Sequence, residues 1–228
     1  MTDQIASTAF RPRQYDLIVF DWDGTLYDST ALIVRAIQAA CRDLGVDVPS
    51  DEAASYVIGL GLQDALMHAV PGLSQDRYPE LGRRYRHHYI KDHEAVSLFA
   101  GVPELLAELR LRHHWLAVAT GKNRQGLNDA LRLSGLTPLF DATRTADETR
   151  SKPHPQMLHE LMREFGVEPE RTLMVGDTTH DLQMALNAGC AAVGVSYGAH
   201  EYGEFDSLNP VHVAHSVRGL HDWLGHHA

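Results

Sequence analysis

The 228-residue chain lacks most features that mark secreted or membrane proteins. Its only two cysteines, Cys41 and Cys190, are far apart in the sequence and match no spacing typical of a disulfide framework, a zinc site or a redox motif. No apolar run approaches the roughly 20 residues that a membrane-spanning helix needs. The first 14 residues also lack the apolar segment of a signal peptide. These absences predict a reduced, cytoplasmic protein without a membrane partner.

Positive charge is scarce as well. The chain has 30 acidic and 20 basic side chains, which gives a net charge of −10 with neutral histidines. A negatively charged body is repelled by a phosphate backbone, so we expect no nucleic-acid partner. The 15 histidines include pairs such as His113-His114, but none of them forms a metal-ligand spacing with its neighbours. We therefore expect solvated or helix-capping histidines.

What the chain does contain is an alternation of strand and helix patterns. Six apolar runs predict strands at 16–20, 115–119, 139–143, 172–175, 191–195 and 211–213. Amphipathic helical patterns lie between them, for example at 155–165 and 179–188. This alternation predicts an α/β fold: a Rossmann-like parallel sheet with helices on both faces.

One segment interrupts the alternation. Residues 29–95 show helical patterns without a convincing strand, and Ser29 is placed to cap the first of these helices. We predict an inserted all-helical cap domain over 29–95 and a catalytic core formed by 1–28 and 96–228. The Gly-Leu-Gly-Leu break at 59–62 either closes over a site or is a plain turn between helices. Four cap arginines are candidate ligands for a substrate carboxylate, although each is more typical of a solvated surface: Arg35, Arg83, Arg84 and Arg86.

Polar residues follow the predicted strands where a site is expected. Ligands of open α/β sheets bind outside the carboxyl ends of the strands. The residues at or near these ends are Asp21, Trp22 and Asp23 after the first strand, Thr120, Gly121 and Lys122 after the second, Lys152 before the 155–165 helix, and Asp177 and Asp181 after the fourth. The sequence therefore predicts a site rich in carboxylates that also holds a lysine and a hydroxyl.

This set of side chains suits phosphoryl transfer. Asp21 and Asp177 can share a Mg²⁺ ion, which would offset their mutual repulsion. Lys152, the Thr120 hydroxyl and backbone N–H groups near Trp22 and Gly121 can hold phosphate oxygens. Asp21 is then the predicted nucleophile, and Asp23 is the predicted general acid for the leaving oxygen and general base for water. Lys122 is a candidate substrate ligand, with a solvated lysine as the equal alternative.

The four motifs together resemble those of the haloacid dehalogenase-like hydrolase superfamily, in the phosphoglycolate phosphatase-like branch with a helical cap. The motifs are DWDGT at 21–25, TGK at 120–122, SKPHP around Lys152 and GDTTHD at 176–181. The resemblance implies a Mg²⁺-dependent phosphatase that acts through an aspartyl-phosphate. It also implies that the Asp23 backbone carbonyl ligates the metal and that Asp181 supports the metal's waters or orients Lys152. The acid at Asp23 favours phosphate chemistry over dehalogenation.

Several alternatives stay open at this point. A sugar-phosphate phosphomutase would use the same two aspartates, and a receiver domain would accept phosphate on a strand-end aspartate without turnover. Phosphoglycolate is the first candidate for the small phosphorylated substrate; sugar phosphates, pyrophosphate and nucleotide monophosphates are the others. The sequence does not distinguish a monomer from a homodimer.

Overall fold

The structure, a computed structural model, describes residues 13–93 and 96–228. The first 12 residues of the predicted core segment and residues 94–95 of the predicted cap lie outside the described residues. No helix among the described residues combines the length and the apolar character needed to cross a bilayer.

A six-stranded parallel sheet forms the centre of the molecule. Its strands are β1 (Leu17–Phe20), β2 (Trp115–Thr120), β3 (Ala142–Thr145), β4 (Thr172–Gly176), β5 (Ala191–Val195) and β6 (His212–Ala214). Their order in the sheet is β3-β2-β1-β4-β5-β6, and every neighbouring pair is parallel. Strand β1 therefore lies between β2 and β4, so polar groups that follow these three strands meet at one edge of the sheet.

Helices cover both faces of this sheet. The helices that follow β1 in the chain are α1 (Thr30–Leu44), α2 (Asp51–Tyr56), α3 (Leu62–Ala69), α4 (Tyr78–Asp92), α5 (Val102–Leu111), α6 (Arg124–Ser134), α7 (Gln156–Phe165), α8 (Thr179–Ala188) and α9 (Val217–His227). Helices α5, α6 and α9 pack on the face that includes Ile18 and Phe20, whereas α7 and α8 pack on the face that includes Leu17 and Val19. Successive strand residues point to opposite faces, so a continuous apolar strand is buried from both sides. The predicted Rossmann-like α/β fold is confirmed.

Helices α1 to α4 form a separate packed block with its own apolar core. Ile37, Leu66 and Leu81 are buried at the centre of this core. Two chain segments connect the block to the sheet, and they pair with each other: the Asp28 N–H donates to the Ser97 carbonyl at 2.9 Å, and the Phe99 N–H donates to the Leu26 carbonyl at 3.0 Å. The helical block thus enters and leaves the sheet domain at one place, directly beside the end of β1.

Candidate active site

The sheet brings the predicted residues of its three central strands to one edge. Asp21 follows β1, Thr120 is the last residue of β2, and Asp177 follows β4. The Asp21 N–H continues the pairing of β1 with β4 by donating to the Val175 carbonyl at 2.9 Å. All three polar side chains are buried. Their meeting follows directly from the strand order, because β1 lies between the other two strands.

Lys152 joins this edge from the loop before α7. Its ammonium donates to Asp21 Oδ1 at 2.5 Å and to Asp181 Oδ1 at 2.6 Å, with all three side chains buried. Burial by itself lowers the pKa of Lys152, but the Asp181 and Asp21 carboxylates outweigh that effect and raise the pKa above its usual value. Lys152 is therefore a fixed positive charge that touches both the predicted nucleophile and the predicted supporting carboxylate.

Lys152 compensates the negative charge of Asp21 only in part. Burial raises the pKa of Asp21 well above its ordinary value; Lys152 opposes this shift, while Asp181 and Asp177 add to it. Asp21 Oδ2 is buried, and it has no hydrogen-bond partner among the residues that the structure describes. A buried carboxylate oxygen without a partner is costly. The arrangement therefore favours a cation or an electrophile at this oxygen.

Asp177 is held tightly on the opposite side of the site. The Thr25 hydroxyl donates to its Oδ1 at 2.7 Å, and the Ala199 N–H donates to its Oδ2 at 2.8 Å. Burial, followed by the charge of Asp181, raises the pKa of Asp177 to about 7. A Cβ added at Gly24, whose φ is +84°, would lie 2.0 Å from Asp177 Oδ2. The backbone must therefore approach this carboxylate too closely for any other residue at position 24.

The carboxylates fit a hard divalent cation. One oxygen from each of Asp21, Asp177 and Asp181 lies within 4.8 Å of the other two. Mg²⁺ is bound in proteins through one or two carboxylates, and water and substrate oxygens complete its shell. All three carboxylates are buried, so a cation between them would offset negative charge that Lys152 alone leaves uncompensated. The donor set is thus suited to Mg²⁺, with Asp21 and Asp177 as the side chains that would hold it.

Asp181 is committed to the protein. Its Oδ1 accepts the Lys152 hydrogen bond, and its Oδ2 accepts hydrogen bonds from the hydroxyl and the N–H of Thr178 at 2.7 and 3.2 Å. Thr178 is the N-cap of α8 and forms a reciprocal capping box with Asp181. Of the two roles predicted for Asp181, the contact with Lys152 is the one that the structure contains.

Asp23 faces the helical block instead of this network. Its Oδ1 accepts a hydrogen bond from the Ser29 hydroxyl at 2.6 Å and lies 3.0 Å from the Lys122 ammonium. Lys122 also donates to the Tyr89 hydroxyl at 3.0 Å, and Tyr89 belongs to α4. Ser29 occupies the predicted N-cap position of α1, but its side chain makes no capping bond to the helix and contacts Asp23 instead. The solvated alternative for Lys122 is wrong, because only 12% of its side chain is exposed.

The remaining predicted residues line the same edge through their backbones. The Thr120 hydroxyl oxygen accepts the Lys122 N–H at 3.2 Å. A Cβ at Gly121 would lie 2.3 Å from the Leu60 carbonyl oxygen, so the 59–62 loop packs directly on Gly121. The Trp22 side chain is fully buried and stacks on Tyr27 at 5.8 Å between ring centroids. Trp22 can therefore reach a ligand only through its backbone.

A cavity of about 770 Å³ opens beside Asp23 and Lys122. The loop at 59–62, helix α4 and one side of α6 line it, so it lies between the helical block and the sheet domain. Of the four cap arginines, Arg86 is on its wall, whereas Arg35 lines a separate hollow. Arg83 and Arg84 both form ion pairs with Glu80. The loop at 59–62 is thus a wall of the cavity as well as a connection between helices.

Several residues of the site were not identified from the sequence. Thr25 is the last residue of the DWDGT motif, four residues after Asp21. This position was the available indication that Thr25 belongs to the site, where it contacts Asp177. Ser29 contacts Asp23 directly, and Tyr89 contacts it through Lys122; both contacts depend on how the helical block packs.

The expectation of solvated or capping histidines is wrong for three of them: His114, His180 and His200 are buried. His180 and His200 both donate through Nε2 to the Tyr56 carbonyl, at 2.8 and 3.0 Å.

Comparison with known proteins assigns the architecture to one family. Residues 18–195 match the family model described as haloacid dehalogenase-like hydrolase. A haloacid dehalogenase-like hydrolase of Streptococcus pneumoniae has a similar structure, with a TM-score of 0.79, 25% identity, and 92% of this chain and 98% of that chain covered.

Two curated relatives are similar over most of their length. A probable phosphatase, IndB, of Dickeya dadantii is 37% identical over 200 residues, which cover 85% of this chain and 86% of that protein. A phosphoglycolate phosphatase of Aliivibrio fischeri is 32% identical over 197 residues, which cover 82% and 86% of the two chains. Both relatives carry names of phosphatases.

Proposed function

The chain belongs to the haloacid dehalogenase-like hydrolase family, and on that premise we propose that it is a Mg²⁺-dependent phosphatase that hydrolyses a small phosphomonoester through an aspartyl-phosphate. The observation that carries the proposal is the environment of Asp21. One of its oxygens is held by Lys152, and the other is buried at the strand ends without a partner among the described residues. Such an oxygen is positioned to attack phosphorus.

The first step transfers the phosphoryl group to the protein. Asp21 Oδ2 attacks phosphorus, the bond from phosphorus to the ester oxygen breaks, and Asp23 gives that oxygen a proton as it leaves. Lys152 favours the ionised form of Asp21 that this step requires. Mg²⁺ bound by Asp21, Asp177 and the Asp23 backbone carbonyl would offset the negative charges of the carboxylates and of the phosphate.

The second step releases phosphate. Asp23, now a carboxylate, takes a proton from a water molecule whose oxygen attacks the phosphorus of the aspartyl-phosphate. The bond from phosphorus to Asp21 breaks, and Asp21 is regenerated. In both steps we assign the phosphate oxygens to Lys152, to the Thr120 hydroxyl and to backbone N–H groups of Trp22 and Gly121, with Lys122 at the side of the leaving group. Asp181 acts through Lys152, which it holds in place.

The helical block is the proposed cap. Its loop at 59–62 rests on Gly121, and its cavity begins at Asp23, where the leaving group would emerge. We therefore propose that residues 29–95 shield the site from water and select the leaving group. Phosphoglycolate remains the first candidate substrate, and the named relative from Aliivibrio fischeri supports its choice. The predicted cytoplasmic location stays a prediction.

Phosphate release from a panel of esters tests this proposal. Purified protein with Mg²⁺ is assayed on phosphoglycolate, a sugar phosphate, pyrophosphate and a nucleoside monophosphate, with Asp21→Asn as the negative variant. We expect hydrolysis that the variant lacks. Asp28→Asn is the matched control, because Asp28 is exposed in the same segment. Hydrolysis by Asp21→Asn at the wild-type rate would refute the covalent route.

The two sequence-based alternatives separate in related assays. A phosphomutase would turn over a sugar monophosphate only after priming by a sugar bisphosphate, and would release an isomeric sugar phosphate. A receiver-like protein would retain phosphate on Asp21 without turnover; membership of a hydrolase family argues against that role.

A further inference from the structure

Asp23 is held through a single oxygen. Both the Ser29 hydroxyl and the Lys122 ammonium contact Oδ1, at 2.6 and 3.0 Å. Two contacts on one oxygen restrict the rotation of the carboxyl group and leave its second oxygen free of both contacts. Asp23 lines the cavity, and only 7% of its surface is exposed. The oxygen that meets the leaving group is therefore oriented by what holds the other one.

Both contacts are tied to the helical block. Ser29 is the residue immediately before α1, so its position follows the start of that helix. Lys122 comes from the sheet, but its ammonium donates to the Tyr89 hydroxyl of α4 at 3.0 Å and lies 4.8 Å from the centre of the Tyr89 ring. Helix α4 packs along α1 within the block. The block thus acts on one carboxylate oxygen at two points, directly through Ser29 and indirectly through the contact of Tyr89 with Lys122.

Resting on the function proposed above, we infer that Tyr89 is a positioning residue: through Lys122 it holds Asp23 in the orientation that protonates the leaving oxygen. Tyr89 contacts neither Asp21 nor the carboxylates around Lys152 in the hydrogen bonds of the described residues. Its effect is confined to the acid side of the reaction. When the block moves away from the sheet, the Tyr89 hydroxyl leaves Lys122, and Asp23 loses one of its two restraints.

This inference gives the cap a part in the chemistry. A cap that only excludes water would lower the rate on every substrate when it is disturbed. A cap that orients the general acid affects substrates unequally, because esters differ in how much their leaving oxygen needs a proton. 4-Nitrophenolate leaves as a stable anion and needs little help. The oxygen of phenyl phosphate needs the proton, although the two esters have nearly the same shape.

The test compares kcat/KM of Tyr89→Phe on these two esters. The variant keeps the ring against Lys122 and removes only the hydroxyl. We expect kcat/KM on phenyl phosphate to fall about 10- to 150-fold, the size of one hydrogen bond to a charged group, and kcat/KM on 4-nitrophenyl phosphate to change less than about twofold. Tyr202→Phe, at a tyrosine that is 57% exposed and is not among the residues lining the cavity, is the control and should match the wild type on both esters.

Two further variants make the result decisive. Lys122→Met should show the same selectivity with a larger loss, and Lys122→Arg should recover part of the rate on phenyl phosphate. Equal losses on the two esters, or no loss in Tyr89→Phe, would overturn the inference. Asp23→Asn distinguishes a failure of this inference from a failure of the proposed function. If Asp23→Asn loses kcat/KM equally on the two esters, the role of Asp23 as general acid is refuted. If only Asp23→Asn loses more on phenyl phosphate, and Tyr89→Phe does not, the acid role stands and only the positioning role of Tyr89 is refuted.

Discussion

Two carboxylates that are only one residue apart lie in different surroundings. Asp21 belongs to the core half of the site, where Lys152, Asp177 and Asp181 are supplied by the sheet domain and are all buried. Asp23 belongs to the cap half, where Ser29 and Lys122 contact it beside an open cavity. The two aspartates of the DWDGT motif thus lie in two different parts of the site.

The comparison indicates that the core half must stay rigid, whereas the cap half must respond to the substrate. In the core half, charges are compensated by fixed partners in a buried environment, where electrostatic interactions are strong. In the cap half, one restraint is Ser29 at the start of the helical block, and the other is Lys122, which comes from the sheet domain and donates to Tyr89 of the block. The comparison therefore predicts that damage to the core half abolishes turnover, whereas damage to the cap half changes its selectivity and its rate.

The largest expected effect distinguishes the two aspartates directly. Asp21→Asn should form no phosphoenzyme and should lose turnover altogether, because the attacking oxygen is gone. Asp23→Asn should lose about 10²–10⁴-fold in turnover, yet it should still accumulate label on Asp21 from an activated ester such as 4-nitrophenyl phosphate. Acid-quenched labelling with a ³²P-ester measures both. Equal labelling of the two variants would break the division of roles.

Metal removal should affect the core half next. Chelation should abolish activity, and added Mg²⁺ should restore it. Asp177→Asn should need about 100-fold more Mg²⁺, since even residues that only support metal ligands change metal affinity by about 10–100-fold. A readout without catalysis is the melting temperature: Mg²⁺ at 100 times its dissociation constant stabilises a folded protein by about 2.7 kcal/mol. The same concentration should leave Asp177→Asn almost unshifted, and a full shift would exclude Asp177 as a ligand.

A smaller effect is expected where the two halves touch. In Gly121→Ala the new Cβ would lie 2.3 Å from the Leu60 carbonyl oxygen, so the 59–62 loop must move away. Overpacking of this kind costs about 1–3 kcal/mol, which corresponds to about 5–150-fold in kcat/KM if the closed cap bears it. Gly72→Ala is the control, because no atom lies within 4 Å of its new Cβ. Unchanged kinetics in Gly121→Ala would show that this contact is absent during turnover.

The smallest effect concerns a buried ionisable group outside the site. His114 donates through Nδ1 to the Tyr15 carbonyl at 2.9 Å, and burial lowers its pKa from 6.5 to about 4. Between these pH values the folded protein binds fewer protons than the unfolded chain, so the free energy of unfolding falls as the pH drops from 6.5 towards 4. At about 1.4 kcal/mol per pH unit for one proton, the loss by pH 5 is about 2 kcal/mol.

Urea denaturation at pH 7 and pH 5 measures this loss. His114→Asn retains a donor near the position of Nδ1 but cannot titrate, so it should lose less stability between the two pH values than the wild type. His113→Asn, at the exposed neighbour, should behave like the wild type. Equal acid sensitivity in all three proteins would show that His114 is not the group responsible.

The comparison also explains how far sequence reasoning reached. The core half was predictable because its residues follow strands, and strand order in a parallel sheet fixes which strand ends are neighbours. Asp21, Thr120, Asp177 and Asp181 were found in this way, Lys152 was found before the 155–165 helix, and the structure places all five at one edge. The cap half was not predictable in the same way. Ser29 was interpreted as a helix cap, and Lys122 was left between a ligand and a solvated lysine.

The sequence by itself determined the alternating fold, the helical insertion after the first strand, and the types of side chain at the strand ends. Periodicity and apolar runs are local properties, so they can be obtained from neighbouring residues. Only the tertiary structure decided that Tyr89 meets Lys122, that two contacts converge on one oxygen of Asp23, and that Asp21 Oδ2 is left without a partner among the described residues. These depend on how a separately packed helical block meets the sheet, and contacts between residues distant in sequence leave no periodic pattern to detect.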